Sequence, residues 1–439
     1  MRGLNRWWIA VAGVFIQMAL GAVYAWSVFS KPLIARFAWS ISEVSRTFTI
    51  CIFVLGLAAF FGGLWLNRMG PRIVALTGGT LYGLGMFLAS FADHRFLGHR
   101  LVPLLKEKAT FLASLSDHRL LWLYLTYGVI GGIGLGFGYI VPVAVLLKWF
   151  PDRRGLITGI AVGGFGAGAL VTAPVATRLI QLPQVGVLNT FAFLGIAYLI
   201  VTVAGGFFMQ NPPEGWKPPG WEPSASQAAQ RAARNFTLGE ALSTWQWWAL
   251  WLLLFLNTSA GISVISQESP MFQELAGMSA TAAGALVGFV SMGNAVGRVF
   301  WASVSDVISR KTTFFVMFLI EMLLFWLYPS LTSATLLGVV TFTILLCYGG
   351  GFGTMPAFTA DYFGPKNVGP IYGLMLTAWG FASAFGPQLI AYMRETYGNY
   401  HGALHVIAAI LAVAAVLPLL VRPPGAKSRS RELRPAPVG

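Results

Sequence analysis

Apolar blocks of about twenty residues alternate along this chain with short breaks that carry charge or proline. A helix of that length rises about 30 Å, which matches the hydrocarbon thickness of a bilayer. The blocks predict twelve membrane-spanning helices, at about 8–29, 44–66, 73–92, 120–148, 156–180, 187–209, 246–266, 280–304, 312–330, 334–360, 370–392 and 401–421. The predicted fold class is therefore an all-α membrane protein of two six-helix halves, with both termini on one side. A stretch rich in Pro, Ser, Ala and charge, 210–245, separates residues 1–209 from residues 246–421, and a basic tail, 422–439, follows. This is a first half, a linker, a second half and a tail.

Composition agrees: 56% of the 439 residues are hydrophobic and 10% charged, whereas a soluble chain carries about a quarter charged residues. The net charge of +14 raises the possibility of nucleic acid, but its distribution answers it. The termini, the linker and the loops on their side hold 18 of the 29 Lys and Arg residues, mostly in short segments. That bias is an orientation signal and puts both termini in the cytoplasm. No nucleic-acid partner is expected; the partner is the lipid bilayer, in a cell inner membrane. MRGLNRWW begins like a signal peptide, yet the apolar stretch behind it is long enough to span, so an uncleaved first helix is expected. Cys51 and Cys347 both lie in apolar segments and five histidines form no HExxH pattern, so neither a metal nor a cofactor is expected. Nor does any nucleophile–base cluster suggest an enzyme.

The halves look like a repeat. GLWLNRMGPR (63–72) follows the second span and ASVSDVISRK (302–311) follows the eighth, placing Asn67 and Asp306 239 residues apart. Gly136-Phe137-Gly138 and Gly351-Phe352-Gly353 are 215 apart, and the 24-residue difference matches an insertion in the long loop 93–119. That loop contains LVPLLKEKATFLASL, readable as a short interfacial helix or as a tolerated insertion.

Within 280–303 Arg298 is the only charged residue, and a guanidinium cannot shed its proton to suit an apolar site. Either it snorkels to water or it faces a ligand pathway, as intramembrane charges commonly do. Asn294 is one helical turn earlier, on the same face.

GGLWLNRMGPR resembles the GxxxDRxGRR motif of the major facilitator superfamily, with Asn67 where an Asp is usual. AVYAWSVFSKPL, GFGYIVPVAVLLKWFPDRRGLITGI, TWQWWALWLLLFLNTSAGI and the NxxxR of span 8 resemble the oxalate/formate antiporter branch, which is related to the monocarboxylate transporters. The resemblance implies a mid-membrane site reached by alternating access, with Arg298 binding a substrate carboxylate. The site expected from it contains Arg298, Asn294, Tyr24, Tyr139, Tyr348, Trp379, Trp26 and Phe352; for any one aromatic, plain packing is the competing reading. A planar fork of donors suits two carboxylate oxygens, and a neutral Asn294 orients it without neutralising it. In oxalate transporters of the branch a lysine occupies the segment matching 377–381, where this chain has Trp379, and no Lys or Arg lies between Lys366 and Arg394. One cation favours a monoanion over a dianion.

The expected function is secondary transport of small carboxylates such as formate, lactate or pyruvate, by proton symport or anion exchange, by a monomer. Oxalate/formate-type antiport is the alternative; a drug or sugar carrier and a non-transporting carboxylate sensor rank below it, the carriers because no acid is read into the core spans. Expected cytoplasmic gating residues are Asn67, Arg68, Arg72, Asp152, Arg153, Asp306 and Arg310. For proton coupling, Glu321 and Arg298 are the candidates, with Asp361 and Glu268 read as lying near span ends.

Overall fold

A computed structural model describes residues 5–93, 118–152, 154–213, 216–220, 222, 235–364 and 367–424, without the side chains of residues 67, 154–156 and 158. Twelve helices among these are long and apolar enough to cross a membrane. They are α1 (Arg6–Ala25), α2 (Ile41–Leu66), α3 (Pro71–Ala89), α4 (His118–Trp149), α5 (Gly159–Gln181) and α6 (Gly186–Gly206), then α7 (Trp245–Leu275), α8 (Ala280–Ile308), α9 (Arg310–Ser330), α10 (Ala334–Phe363), α11 (Val368–Tyr397) and α12 (His401–Leu420). The interfacial-helix question of loop 93–119 falls largely outside the described residues.

The helix starts are written locally. Ser40 and Glu43 form a reciprocal capping box at the head of α2, and Thr244 and Ser279 cap α7 and α8 with their hydroxyls. These side chains satisfy backbone N–H groups that a helix end leaves free. The helix following Ala25, Ser27–Phe37, prolongs α1 past a single 3₁₀ stretch at Gly21–Ala25. Such a mid-helix tightening marks a place where tertiary packing overrides the regular α-helix.

The repeat read from the sequence recurs in the backbone. Gly70, after α2, has φ +81° and ψ 163°; Ser309, after α8, has φ +82° and ψ 151°. The two are 239 residues apart, the same offset as Asn67 and Asp306. The second half thus holds a serine in a conformation favoured almost only by glycine.

Within the first half α3 packs on α6 and α4, and α2 on α4; within the second α8 packs on α10, α7 on α11 and α9 on α12. The halves meet where α2 lies along α11 and α5 along α8. Polar contacts between them cluster at the face away from the termini: Lys31 reaches Glu274 at 3.4 Å, Thr281 donates to Gln181 at 3.0 Å, and Thr49 donates to the Ser383 carbonyl at 2.9 Å. Glu274 also takes Arg394 at 2.8 Å. At the termini face, Arg6 clasps Asp152 with both nitrogens at 2.7 and 2.9 Å within the first half. There Arg310 joins Asp306 at 2.6 Å and Asp361 at 3.2 Å within the second.

One boundary differs in a way that matters. The sequence break at 266 predicts the end of span 7, but the helix continues to Leu275. Gln267 and Glu268 interrupt the apolar block without interrupting the helix, because both side chains are buried in the bundle. The expectation that the core spans hold no acid is therefore corrected: Glu268 lies inside α7.

Candidate functional site

The geometry around Arg298 begins with glycines. α8 and α10 approach so closely that a Cβ on Gly297 would strike the Leu346 carbonyl. One on Gly349 would strike the Asn294 carbonyl, and one on Gly353 that of Arg298. Only hydrogen at these positions permits the approach. It seats the Arg298 guanidinium carbon 4.8 Å from the centre of the Phe352 ring, within cation–π range.

Arg298 is 1% exposed and is the only buried base among the described residues. The snorkelling alternative is thereby removed, since a snorkelling side chain keeps its charged end in water. Its Nε donates to Asn294 Oδ1 at 3.3 Å. Nη1 and Nη2 make no hydrogen bond of normal geometry among the described residues. The hydroxyls of Tyr139, Tyr24 and Tyr348 are its electrostatic neighbours, and that of Tyr139 is turned towards it.

An aromatic box closes over this guanidinium. Trp379 of α11 is central, with ring centres 5.0 Å from Phe352, 5.8 Å from Phe165, 5.9 Å from Tyr139 and 6.4 Å from Tyr24. Tyr24 and Tyr348 share a hydroxyl–hydroxyl hydrogen bond of 2.9 Å from one half to the other. The Trp379 indole N–H has no partner of normal geometry. With the guanidinium, these are buried hydrogen-bond donors set among aromatic rings, an arrangement chemically complementary to a small anion.

The structure thus gathers Arg298, Asn294, Tyr24, Tyr139, Tyr348, Phe352 and Trp379. It does not gather Trp26, which lies between Tyr127 at 4.8 Å and Phe29 and Phe191 at 6.2 and 6.4 Å, all in the first half. Its position two residues after Tyr24, across the end of the 3₁₀ stretch, turns it to another side of the helix. Phe165 is the member that sequence reasoning missed; its setting, Gly163-Gly164-Phe165-Gly166, echoes the Gly-Phe-Gly of α4 and α10. Glu321 is buried on α9, where Asn257 donates to it at 3.5 Å and also to the Cys347 carbonyl at 3.2 Å. That places it in a scaffold bond between α7, α9 and α10.

Among the gating candidates, Asp152, Asp306 and Arg310 hold the ion pairs described above. Arg72 is exposed and reaches Gln210 at 3.5 Å, and Arg68 is exposed. Arg153 and the Asn67 side chain lie outside the described residues.

The sequence profile of the Major Facilitator Superfamily matches residues 7–387 and, in a second overlapping match, 281–439; the chain belongs to that superfamily. It is similar to the oxalate:formate antiporter of Oxalobacter formigenes, 27% identical over 432 residues that cover 95% of this chain and 93% of that one. It is also similar to monocarboxylate transporter 13 of Rattus norvegicus, 26% identical over 424 residues, 92% of this chain and 86% of that one. Among solved structures, an inward-facing, unoccupied bacterial homolog of the human lysosomal transporter Spinster superposes with TM-score 0.69 at 15% identity, covering 99% and 100% of the two chains. That likeness is one of fold. The chain is accordingly a multi-pass membrane transporter related to oxalate:formate antiporters and monocarboxylate transporters.

Proposed function

We propose that this transporter carries small monocarboxylates, such as formate, lactate or pyruvate, one at a time against Arg298. The observation that carries the reading is the guanidinium itself: it is buried, held through Nε by a neutral Asn294, and has both terminal nitrogens without a partner of normal geometry. A buried charge without compensation costs several kcal/mol, roughly, and a carboxylate in a bidentate pose supplies the compensation. Neutral sugars and cationic drugs do not. The absence of a second buried base among the described residues favours one negative charge over two.

The positive bias of the loops supports cytoplasmic termini and an inner-membrane location. In that orientation the Lys31–Glu274, Thr281–Gln181 and Thr49–Ser383 contacts lie at the outer end and hold it shut. Arg6–Asp152 and Asp306–Arg310–Asp361 brace the inner end of each half. Alternating access then requires the Tyr24–Tyr348 bond to open as the halves rock. Glu321, tied to the scaffold, is the weaker of the two proton candidates named from sequence.

Similarity to an oxalate:formate antiporter favours a second reading, exchange of oxalate for formate. Uptake of labelled formate, lactate, pyruvate and oxalate into liposomes containing the purified protein separates the two. The monocarboxylate reading expects the three monoanions to be taken up and to resist competition by oxalate. It fails if oxalate outcompetes lactate, or if Arg298→Gln transports as well as the parent.

A further inference from the structure

Beside the Arg298 box is a narrow crevice, nowhere wide enough for a water molecule, lined by Tyr24, Gly166, Ala169, Ile265, Glu268, Ser291, Asn294 and Leu345. It shares Tyr24 and Asn294 with the carboxylate site, and its one acid is Glu268. That residue is 2% exposed, and its Oε1 has no hydrogen-bond partner among the described residues. No described base is within ion-pair distance of it. Lys31, from the extension of α1, and Arg394, from α11, are both held by Glu274, six residues further along the same helix. Facing Glu268 are Tyr24 from α1, Asn294 and Ser291 from α8, and Leu345 from α10. Tyr328, at the end of α9, lies within electrostatic reach, its hydroxyl bonded to Thr341 at 2.8 Å. Arg298 is one turn beyond Asn294.

We infer that Glu268 carries a proton that travels with the substrate, making the transporter an electroneutral carboxylate–proton symporter. The inference rests on the carboxylate reading of Arg298. Its logic is charge compensation among buried side chains, where each net charge is expensive. In the loaded carrier the anion neutralises Arg298, and Glu268 is neutral only with its proton on. In the substrate-free carrier Arg298 is neutralised only if Glu268 has given its proton up. The enclosure holds no net charge in either state, and the halves can rock in both. Each cycle takes one proton from water at one face onto the Glu268 carboxylate and returns it to water at the other, together with one carboxylate. A titratable group is needed because Asn294, which bonds the guanidinium, has no titratable proton, and Glu268 is the acid that lines the crevice. Glu321 does not meet the need, since its bond to Asn257 ties it to the scaffold and it does not line the crevice.

The test compares two modes of transport in liposomes containing the full chain, with labelled lactate, pyruvate and formate. Net uptake driven by an inwardly directed proton gradient needs the substrate-free carrier to return. Exchange against internal unlabelled acid at equal pH does not. Glu268→Gln mimics the protonated side chain at every pH, so the ratio of net uptake to exchange is expected to fall at least tenfold. Lactate-driven proton entry, followed with a trapped pH dye, should fall with it. Glu268→Asp should restore part of the ratio, and Glu321→Gln should keep the ratio of the parent. Exchange by Glu268→Gln certifies that the variant is folded. A parent-like ratio in Glu268→Gln overturns the inference. A parent that exchanges the acids but never accumulates them on a proton gradient overturns it too, while leaving the carboxylate reading in place. A parent that moves none of these acids in either mode overturns both.

Discussion

The two halves share a fold and divide the chemistry unequally. Among the described residues the buried charged side chains are Glu268, Arg298 and Glu321, and all three belong to the second half. The first half contributes to the site only through rings and a hydroxyl face: Tyr24, Tyr139 and Phe165. Two halves built on one plan thus need not share a task. One half can hold the charge while the other provides the wall that shuts water out, and the substrate is enclosed where they meet. The wall also matters energetically, because electrostatic attraction strengthens as water is excluded.

The sharpest way to break this division is to remove the charge. Arg298→Gln should lower carboxylate uptake by on the order of 100-fold, the loss expected for a charge-assisted bidentate pair. Arg298→Lys should recover only part, since an ammonium lacks the planar fork. If Tyr139→Phe in the first half harmed uptake as much as Arg298→Gln, the proposed division would be wrong. The next experiment adds charge instead. Trp379→Lys places a second cation in the box and should move the oxalate-to-lactate preference about tenfold towards oxalate, read by competition for uptake. No shift would show that cation number does not set the preference.

Smaller effects sharpen the boundary between the halves. Tyr24→Phe and Tyr348→Phe each remove the same 2.9 Å bond, worth about 1 kcal/mol. Each should change the transport rate by a few-fold, and the double variant should be no worse than the stronger single one. Additive losses would mean that the hydroxyls act separately. The smallest effect concerns the repeated turn. Ser309→Gly relieves a strained backbone, at φ +82°, but loses a helix cap to Thr312. The net gain should be a fraction of 1 kcal/mol, roughly, and about 1 °C in the thermal midpoint. Gly70→Ser should lower the midpoint by more. A fall for Ser309→Gly, or a rise for Gly70→Ser, would show that the two turns are not equivalent.

Much of this was legible before any tertiary contact. Arg298 identified itself by being alone in an apolar run, and Asn294 by its four-residue spacing, because both signals are local to one helix. The repeat was legible through Asn67 and Asp306, and it carried over to Gly70 and Ser309. Span ends were less legible. The α7 boundary at 266 was set by polarity, and a polar residue reads alike whether it marks a helix end or a buried interior position. Glu268 was therefore placed near a span end, although Gln267 and Glu268 have no charged partner nearby in sequence to keep them at a surface.

What the sequence determined by itself is the inventory and its order along the chain: twelve apolar helices, their caps, the halving at the linker, and one guanidinium that needs compensation. Length, hydropathy and spacing encode these because each depends on residues close in sequence. Only the tertiary structure decided which rings surround that guanidinium. It brought in Phe165, left Trp26 inside the first half, and set Glu268 in the crevice shared with Asn294. Those outcomes depend on contacts between helices far apart in the chain, above all the glycine-permitted approach of α8 to α10, and no local pattern specifies which faces such an approach will bring together.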